Sequence, residues 1–251
     1  MYTPGATGED LTVDVILRCN ERNRFTLHRL MVLLENLAVP ERWTLARTPA
    51  QLAAAVRAAR RPVVLYSFMS TVWEETRDEL AALRRERPDA RIIAGGPHAS
   101  ALPASVLAAG ADTVFRGEAE RSFPAFWQRY VRGGETPWPR VVEPGEPLAL
   151  DDIPVFARTA DWFAPTEITR GCRYACKYCQ TSQLFPRPIR HRSVAALRPW
   201  LAEQVTLGRL RFTALSPNAL SYQSPRPGVA NTDAIRELLT MCREVGIVYN
   251  I

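Results

Sequence analysis

PVVLYSFMST, residues 62–71, is the stretch that decides the fold of the first half of this 251-residue chain. Its apolar run over 62–68 is typical of a strand that is buried on both faces of a parallel sheet. Thr71 and Glu74 then have the spacing of a capping box, which predicts that a helix begins directly after the strand. The stretch RIIAGG, residues 91–96, is again apolar and ends in two small residues. These stretches predict a parallel sheet whose strands alternate with helices.

The same alternation extends to both sides of these two strands. We predict further strands over 11–18 and 112–117, and further helices over 27–37, 49–61, 103–110 and 123–133. The result is a five-unit α/β domain over residues 1–135, with a flavodoxin-like or Rossmann-like fold. Ligands of such sheets bind beyond the carboxyl ends of the strands. The candidate ligand loops are therefore those at 19–23, 66–71, 95–100 and 117–120.

A segment rich in proline and glycine, residues 136–160, follows this domain and is predicted to be a linker. A second α/β domain is predicted over 161–251. Its predicted elements are a strand TEITRG over 166–171, a helix over 194–207, a strand over 211–215, and a helix that Gly246 terminates. We interpret them as the first part of a (βα) barrel, which is truncated after the start of its third strand.

The charge pattern gives no support for nucleic-acid binding. The formal net charge is +6, but the arginines are interleaved with acidic residues, and Lys177 is the only lysine. This pattern is typical of solvated helix faces. No apolar run approaches the roughly 20 residues that cross a bilayer, and the N-terminus lacks a secretory signal pattern. We expect a cytoplasmic protein with no membrane span.

Cys172, Cys176 and Cys179 lie within eight residues, and their spacing is CxxxCxxC. This clustering, with an odd total of five cysteines, favours metal ligation in a reducing compartment over disulfides. Three thiolates on one curled loop can hold three corners of an iron–sulfur cluster and leave one iron open to a ligand. Two alternatives are a zinc site that takes His191 as its fourth ligand, and cysteines that bind nothing.

The cysteine stretch CRYACKYC resembles the cluster motif of the radical S-adenosylmethionine (SAM) superfamily. It follows a predicted strand, and aromatic Tyr178 precedes its last cysteine. The first domain resembles the cobalamin-binding domain of the cobalamin-type radical SAM proteins. In that family a loop similar to SxL and a loop with two glycines contact the nucleotide tail and the corrin. Ser67 and Met69 match the first loop, and Gly95 and Gly96 match the second.

The resemblance implies a [4Fe-4S] cluster on the three cysteines, SAM at its open iron, and a bound cobalamin. It also implies an electron donor such as flavodoxin or ferredoxin. Reductive cleavage of SAM then gives methionine and a 5′-deoxyadenosyl radical, and cobalamin implies methyl transfer to a substrate that the sequence does not identify. The alternatives are a radical SAM protein whose first domain is an interaction module without cobalamin, and a zinc-binding or iron–sulfur-binding protein that is not an enzyme.

Further cofactor-binding residues follow from the resemblance by position. Tyr178 is expected to place its backbone near the adenine, and Asn218 is expected to contact the methionine part of SAM. The stretch LSPNALS around Asn218 departs from the GGE-like stretch of the family. The motif DxHxxG, which supplies a histidine to cobalt in many cobalamin enzymes, is absent. His98 is therefore the candidate imidazole near the corrin, with local hydrogen bonding to its own loop as the alternative.

Other residues near these motifs have structural interpretations. Cys19 and Cys242 are predicted to be small buried residues without chemistry. Arg187, Arg190 and Arg192 follow the cysteine loop, where a solvated turn or a contact with an anionic substrate or the SAM carboxylate is expected.

Overall fold

The computed structural model describes residues 12–37, 42–158, 163–174, 176–185 and 188–250. The chain divides into two compact units at the junction of Glu146 and Pro147. This junction falls inside the segment that the sequence predicts to be a linker. Among the described residues, no helix has the length and the apolar composition needed to cross a membrane.

Within its described residues, the first unit contains one parallel sheet of six strands. The strands are β1 (Asp14–Arg18), β2 (Arg42–Ala46), β3 (Pro62–Ser67), β4 (Arg91–Gly95), β5 (Thr113–Phe115) and β6 (Val141–Val142). Their order is β2-β1-β3-β4-β5-β6, and every neighbouring pair is parallel. The strand order reverses between β1 and β3, as in flavodoxin-like sheets. The predicted α/β fold is thereby confirmed for this unit.

Two of these strands, β2 and β6, are not predicted from the sequence. β2 lies at the edge of the sheet and its first three residues are exposed, so it lacks the apolar run of a central strand. β6 has only two residues and lies in the proline-rich segment 136–160, where Val141 pairs with Val114 of β5. Part of the predicted linker therefore belongs to the sheet. Leu150 and Ile153, later in that segment, are also buried.

The helices of the first unit connect these strands. They are α1 (Arg24–Asn36), α2 (Pro49–Ala58), α3 (Trp73–Glu86), α4 (Gly96–Ala101), α5 (Pro103–Ala108) and α6 (Ser122–Phe126), which continues as a π-helical turn over Trp127–Arg132. Thr48 caps α2 as predicted, because its hydroxyl accepts the Gln51 N–H at 3.1 Å. The predicted cap at Thr71 is wrong. A 3₁₀ turn over Ser70–Val72 comes first, and α3 begins at Trp73 without a side-chain cap.

A hydrophobic core on one side of the sheet fixes α2 and α3 against the central strands. This core contains residues from four strands and from both helices. The strand residues are Ile16, Val64, Ile92 and Val114, those of α2 are Leu52 and Val56, and those of α3 are Leu80 and Leu83. Each buried side chain of this size stabilises the fold by roughly 1.5–3 kcal/mol relative to an exposed one. The carboxyl ends of β1, β3 and β4, which carry the candidate ligand loops, are thus held on a rigid scaffold.

The second unit contains, in its described part, a parallel three-stranded sheet and a short pair of antiparallel strands. Its strands and helices are β7 (Thr166–Glu167), β8 (Thr169–Arg170), α7 (Thr181–Leu184), β9 (Arg190–His191), α8 (Val194–Thr206), β10 (Arg211–Leu215), α9 (Thr232–Val245) and β11 (Val248–Asn250). The sheet order is β7-β10-β11, with α8 and α9 as the crossovers, and β8 pairs antiparallel with β9. The single predicted strand TEITRG is therefore divided at Ile168 between two sheets.

Helix α9 ends as the sequence predicts. Gly246 adopts the left-handed conformation with φ of 79°, and its N–H bonds to the carbonyls of Arg243 and Cys242. Ala234, Leu238, Met241 and Cys242 are its buried residues. Leu239, which the spacing places on the inner face, is exposed instead.

Candidate functional site

The loop after β1 is tied to the end of β3 by the side chain of Asn23. Its amide Nδ2 donates to the carbonyls of Arg18 at 2.8 Å and Ser67 at 2.9 Å. Its Oδ1 accepts the N–H of Asn20 at 2.7 Å. Because Asn23 is buried, these bonds fix the crevice at the point where the strand order reverses. The sequence predicts loop 19–23 as a ligand loop but does not single out Asn20 or Asn23, although Asn directly after a strand is a recognisable turn signal.

The loops after β3 and β4 contact each other closely. Phe68 N–H donates to the Gly95 carbonyl at 3.3 Å, and His98 N–H donates to the Phe68 carbonyl at 3.2 Å. Gly96 has a φ of +89°, and a Cβ at this position would lie 2.7 Å from Ser67 Oγ and 2.8 Å from Phe68 N. Only glycine therefore fits this close approach. The structure brings together Ser67, Gly95, Gly96 and His98 of the predicted set.

His98 is enclosed by its own neighbourhood. Its ring stacks on Trp73 with a centroid distance of 4.4 Å and lies 5.6 Å from the ring of Phe68. Nδ1 is 2.9 Å from Ser70 Oγ, while Nε2 is buried without a hydrogen-bond partner among the described residues. Burial lowers the pKa of His98, so the neutral ring is favoured. The side chain of His98 therefore bonds to Ser70 of the loop after β3, and not to the backbone of its own loop as the predicted alternative had it. A contact with a corrin stays a prediction.

A cleft of about 100 Å³ opens between the loops after β1 and β3. Its lining includes Asn20, Asn23, Ser67, Phe68, Met69 and Pro97. Met69 is exposed, whereas the Ser67 side chain is buried. The cleft has the small residues and the position that a ligand of an α/β sheet requires.

A larger open groove of about 550 Å³ adjoins this cleft, and Asn20, Asn23 and Ser67 line both. Arg18 and Glu79 form an ion pair at 2.8 Å within the groove. Burial, together with the Glu79 carboxylate, holds the pKa of Tyr66 well above its usual value. Tyr66 therefore stays protonated at physiological pH, and the groove combines a polar end with apolar walls.

The five cysteines fall into two classes. Cys19 and Cys242 are buried, and burial raises the pKa of both thiols, that of Cys242 to about 11. These two are inert small residues, as predicted. Cys172, Cys176 and Cys179 are half-buried free thiols on the loop between β8 and α7.

The cysteine loop carries groups that favour thiolates near its end. Thr181 Oγ1 lies 3.2 Å from Cys179 Sγ, and this hydrogen bond lowers the pKa of the Cys179 thiol. The Cys179 N–H also donates to the Cys176 carbonyl at 2.9 Å, which curls the loop. Tyr178 projects outwards with 93% of its surface exposed, and hydrogen bonding to Cys176 raises its pKa.

The donor set of this loop fits an iron–sulfur cluster better than a complete metal site. The loop has three half-buried thiols, none in a disulfide, and three is the number of thiolates that leaves one iron of a [4Fe-4S] cluster open. In the part of the chain that the structure describes, no three His, Cys, Asp or Glu side chains are already gathered around a common metal position. The fit therefore rests on the number and the chemistry of the donors, and metal binding has to draw the three sulfurs together.

A small cavity of about 20 Å³ lies beside Cys172 in the second unit. Its lining residues include Thr169, Arg173, Ile189, His191, Pro217, Asn218 and Ser221. Asn218 Oδ1 accepts the Leu220 N–H at 3.1 Å, so its amide nitrogen is the group that is left to donate to a ligand. The structure thus brings the predicted residue Asn218 to the same cavity as the first cysteine.

The arginines after the cysteine loop have structural roles where the structure describes them. Arg190 Nη1 donates to the Leu148 carbonyl at 2.8 Å, and Arg192 Nη1 donates to the Ile153 carbonyl at 2.7 Å. Arg192 is completely buried, so it lies in neither a solvated turn nor an open binding site. Arg187 lies outside the described residues.

The first unit is similar to a domain of known ligand preference. Residues 5–126 match the family model of the B12 binding domain. This match supports the cobalamin-binding part of the prediction, and it covers both loops that carry Ser67, Met69, Gly95 and Gly96. Comparison with curated proteins gives no match.

Solved structures of a radical S-adenosylmethionine methyltransferase, TsrM from Kitasatospora setae, have a similar fold. The structure with cobalamin and a [4Fe-4S] cluster bound is 15% identical, with a TM-score of 0.64 over 93% of this chain and 52% of that chain. The structure with tryptophan substrate and the SAM analogue aza-SAM bound is also 15% identical, with a TM-score of 0.59 over 94% of this chain and 66% of that one. This chain therefore spans about half to two thirds of those chains, and the likeness is one of fold.

Proposed function

We propose that this chain belongs to a cobalamin-dependent radical SAM enzyme that transfers a methyl group to a substrate of unknown identity. One observation carries the proposal: a B12-binding match over 5–126 is followed, in the second unit, by three free thiols spaced CxxxCxxC on one loop. A zinc site or an iron–sulfur site without catalysis does not account for a B12-binding unit in the same chain.

The residues divide the work between the two units. Cys172, Cys176 and Cys179 would hold the [4Fe-4S] cluster, and the small cavity beside Cys172 would receive one polar group of the amino-acid part of SAM, with Asn218 as one donor. The hydroxyl of Thr181 favours the thiolate form of Cys179 that a cluster requires. A cluster held there would supply one-electron reduction of SAM, with the electron coming from a donor such as flavodoxin or ferredoxin, and a cobalamin would supply methyl transfer.

In the first unit the corrin and its nucleotide tail would lie over the cleft between the loops after β1, β3 and β4. Gly96 allows the loop after β4 to pack closely against the loop after β3, Ser67 and Met69 line the crevice, and Asn23 fixes its width. His98, whose Nε2 is buried, would support these loops through Phe68 and Trp73. This arrangement requires no histidine ligand from the protein to cobalt.

Reductive turnover tests this function. The chain, reconstituted anaerobically with iron, sulfide and hydroxocobalamin, is incubated with SAM and a strong reductant. We expect 5′-deoxyadenosine and methionine, or S-adenosylhomocysteine with methylated cobalamin, in amounts that depend on the cluster. The Cys172→Ala variant should give none of these products. Absence of all of them from a parent protein that holds the cluster and the corrin would contradict the enzyme assignment.

A further inference from the structure

The cavity beside Cys172 is closed on one side by hydrogen bonds between the cysteine loop and the loop that follows β10. Arg173 Nη1 donates to the Pro225 carbonyl at 2.9 Å, and the Gly228 N–H donates to the Tyr174 hydroxyl at 3.0 Å. Each bond has one partner directly after Cys172, either Arg173 or Tyr174. These bonds fix one wall of the cavity.

His191, on β9, lines this cavity with a ring that is held from several directions. Its Nδ1 accepts the backbone N–H of Gln223 at 3.2 Å and lies 3.0 Å from Thr169 Oγ1. Its ring meets Tyr222 edge-on, with an interplanar angle of 88°. Tyr222 is fixed in turn, because its hydroxyl donates to the Arg192 carbonyl at 2.7 Å.

Gln223 adopts a strained backbone conformation to make this contact. Its φ is +48°, a left-handed value that is uncommon outside glycine and costs roughly 1–3 kcal/mol. The carbonyl of Gln223 accepts from Asn231 Nδ2 at 3.0 Å, and its side chain donates to the Tyr222 hydroxyl at 3.0 Å. The surroundings therefore hold an unfavourable residue in place, with its N–H directed at His191. Such strain is concentrated at functional sites.

These contacts assign the tautomer of His191. Nδ1 accepts a backbone N–H, so its lone pair is in use and the proton of the neutral ring is on Nε2. Among the described residues Nε2 has no hydrogen-bond partner, and it is not one of the buried atoms sealed from solvent. This residue of the cavity lining thus carries a fixed N–H donor that is open to solvent.

The lining of the cavity is suited to an anion. Its residues include Arg173, Asn218 and His191, and no aspartate or glutamate is among them. A guanidinium, a side-chain amide and an imidazole N–H are all donors to a carboxylate. A carboxylate can bind a metal with one oxygen and accept hydrogen bonds with the other.

We propose that His191 donates its Nε2–H to the carboxylate of the methionine part of SAM and thereby selects for that group. This role rests on the proposed function, because SAM reaches the cavity only beside a cluster held by Cys172. Gln223 and Thr169 are positioning residues in this arrangement, since they touch the imidazole and not the ligand.

Binding measurements on the cluster-loaded chain test this role. His191→Phe keeps a ring against Tyr222 and removes both nitrogens, while His191→Gln retains a donor near the outer edge of the ring. Dissociation constants are measured anaerobically for SAM and for decarboxylated SAM, together with iron and sulfide content. We expect His191→Phe to raise the dissociation constant of SAM roughly 10- to 100-fold, which is the effect of losing a hydrogen bond to a charged group. The dissociation constant of decarboxylated SAM should change less than about 2-fold in the same variant. His191→Gln should recover part of the SAM affinity.

The outcomes separate this role from the proposed function. Equal SAM affinity in the parent and in His191→Phe, or equal loss for both ligands, overturns the role of His191 and leaves the enzyme assignment intact. A parent that takes up no cluster, or takes up zinc in its place, overturns the proposed function. A cluster-loaded parent that binds neither ligand overturns both.

Discussion

Cys176→Ala is expected to abolish uptake of an iron–sulfur cluster. Cys172 and Cys179 alone would leave two irons of the cluster without a protein ligand, and no acidic residue in the cavity beside Cys172 replaces the missing thiolate. Iron and sulfide are measured after anaerobic reconstitution and desalting, with visible absorption as the second readout. We expect less than about a tenth of the parental content.

Cys242→Ala is the matched control for this experiment. It also removes a thiol from the second unit, but Cys242 is buried on α9 and its raised pKa keeps it protonated. Its cluster content should equal that of the parent, with only a modest loss of stability. A Cys176→Ala protein that takes up as much iron and sulfide as the Cys242→Ala protein would refute the three-thiolate assignment.

Gly96→Ala is expected to damage the first unit more than any other single methyl group added to the loops after β3 and β4. The left-handed backbone costs alanine roughly 1–2 kcal/mol, and overpacking adds roughly 1–3 kcal/mol. The overpacking follows because the new Cβ would lie 2.7 Å from Ser67 Oγ and 2.8 Å from Phe68 N. The urea midpoint should fall, and retention of cobalamin after desalting should fall with it, because the clash displaces the Ser67 loop that lines the cleft.

Gly134→Ala separates the cost of the left-handed backbone from the cost of overpacking. Gly134 has a φ of +69°, yet nothing lies within 4 Å of a Cβ built there. This variant has the conformational cost without the clash, so its urea midpoint should fall by much less and its cobalamin retention should be that of the parent. Equal effects at positions 96 and 134 would show that the close approach to the Ser67 loop has no importance.

The sequence predicts the central strands of the fold well, because those strands are continuously apolar. β3 and β4 lie inside the predicted ranges 62–68 and 91–96, and β10 has the predicted bounds 211–215. Edge strand β2 has exposed residues and gives no such signal. The two-residue strand β6 is defined by its partner across the sheet, and the division of the predicted strand 166–171 into β7 and β8 is likewise set by pairing partners, which a local pattern does not contain.

For the candidate site, the sequence identifies cysteines and glycines with a recognisable spacing. It does not identify polar residues whose role depends on contacts with residues distant in the chain. The cysteine spacing and the glycine pair are visible in the sequence, and Gly96 has the conformation that such a glycine allows. Asn23 and Gln223 are ordinary polar residues. Their importance arises from carbonyls and an imidazole brought close by the fold, 44 and 32 residues away in the chain for Ser67 and His191.

The most direct test of the central claim is the cofactor content of the parent chain. The protein is reconstituted anaerobically with iron, sulfide, zinc and hydroxocobalamin in competition, desalted, and analysed for metals, sulfide and corrin. We predict about four irons, about four sulfides and about one corrin per chain, with little zinc. Retention of zinc in place of iron and sulfide, or loss of all corrin on desalting, would contradict a cobalamin-dependent radical SAM enzyme.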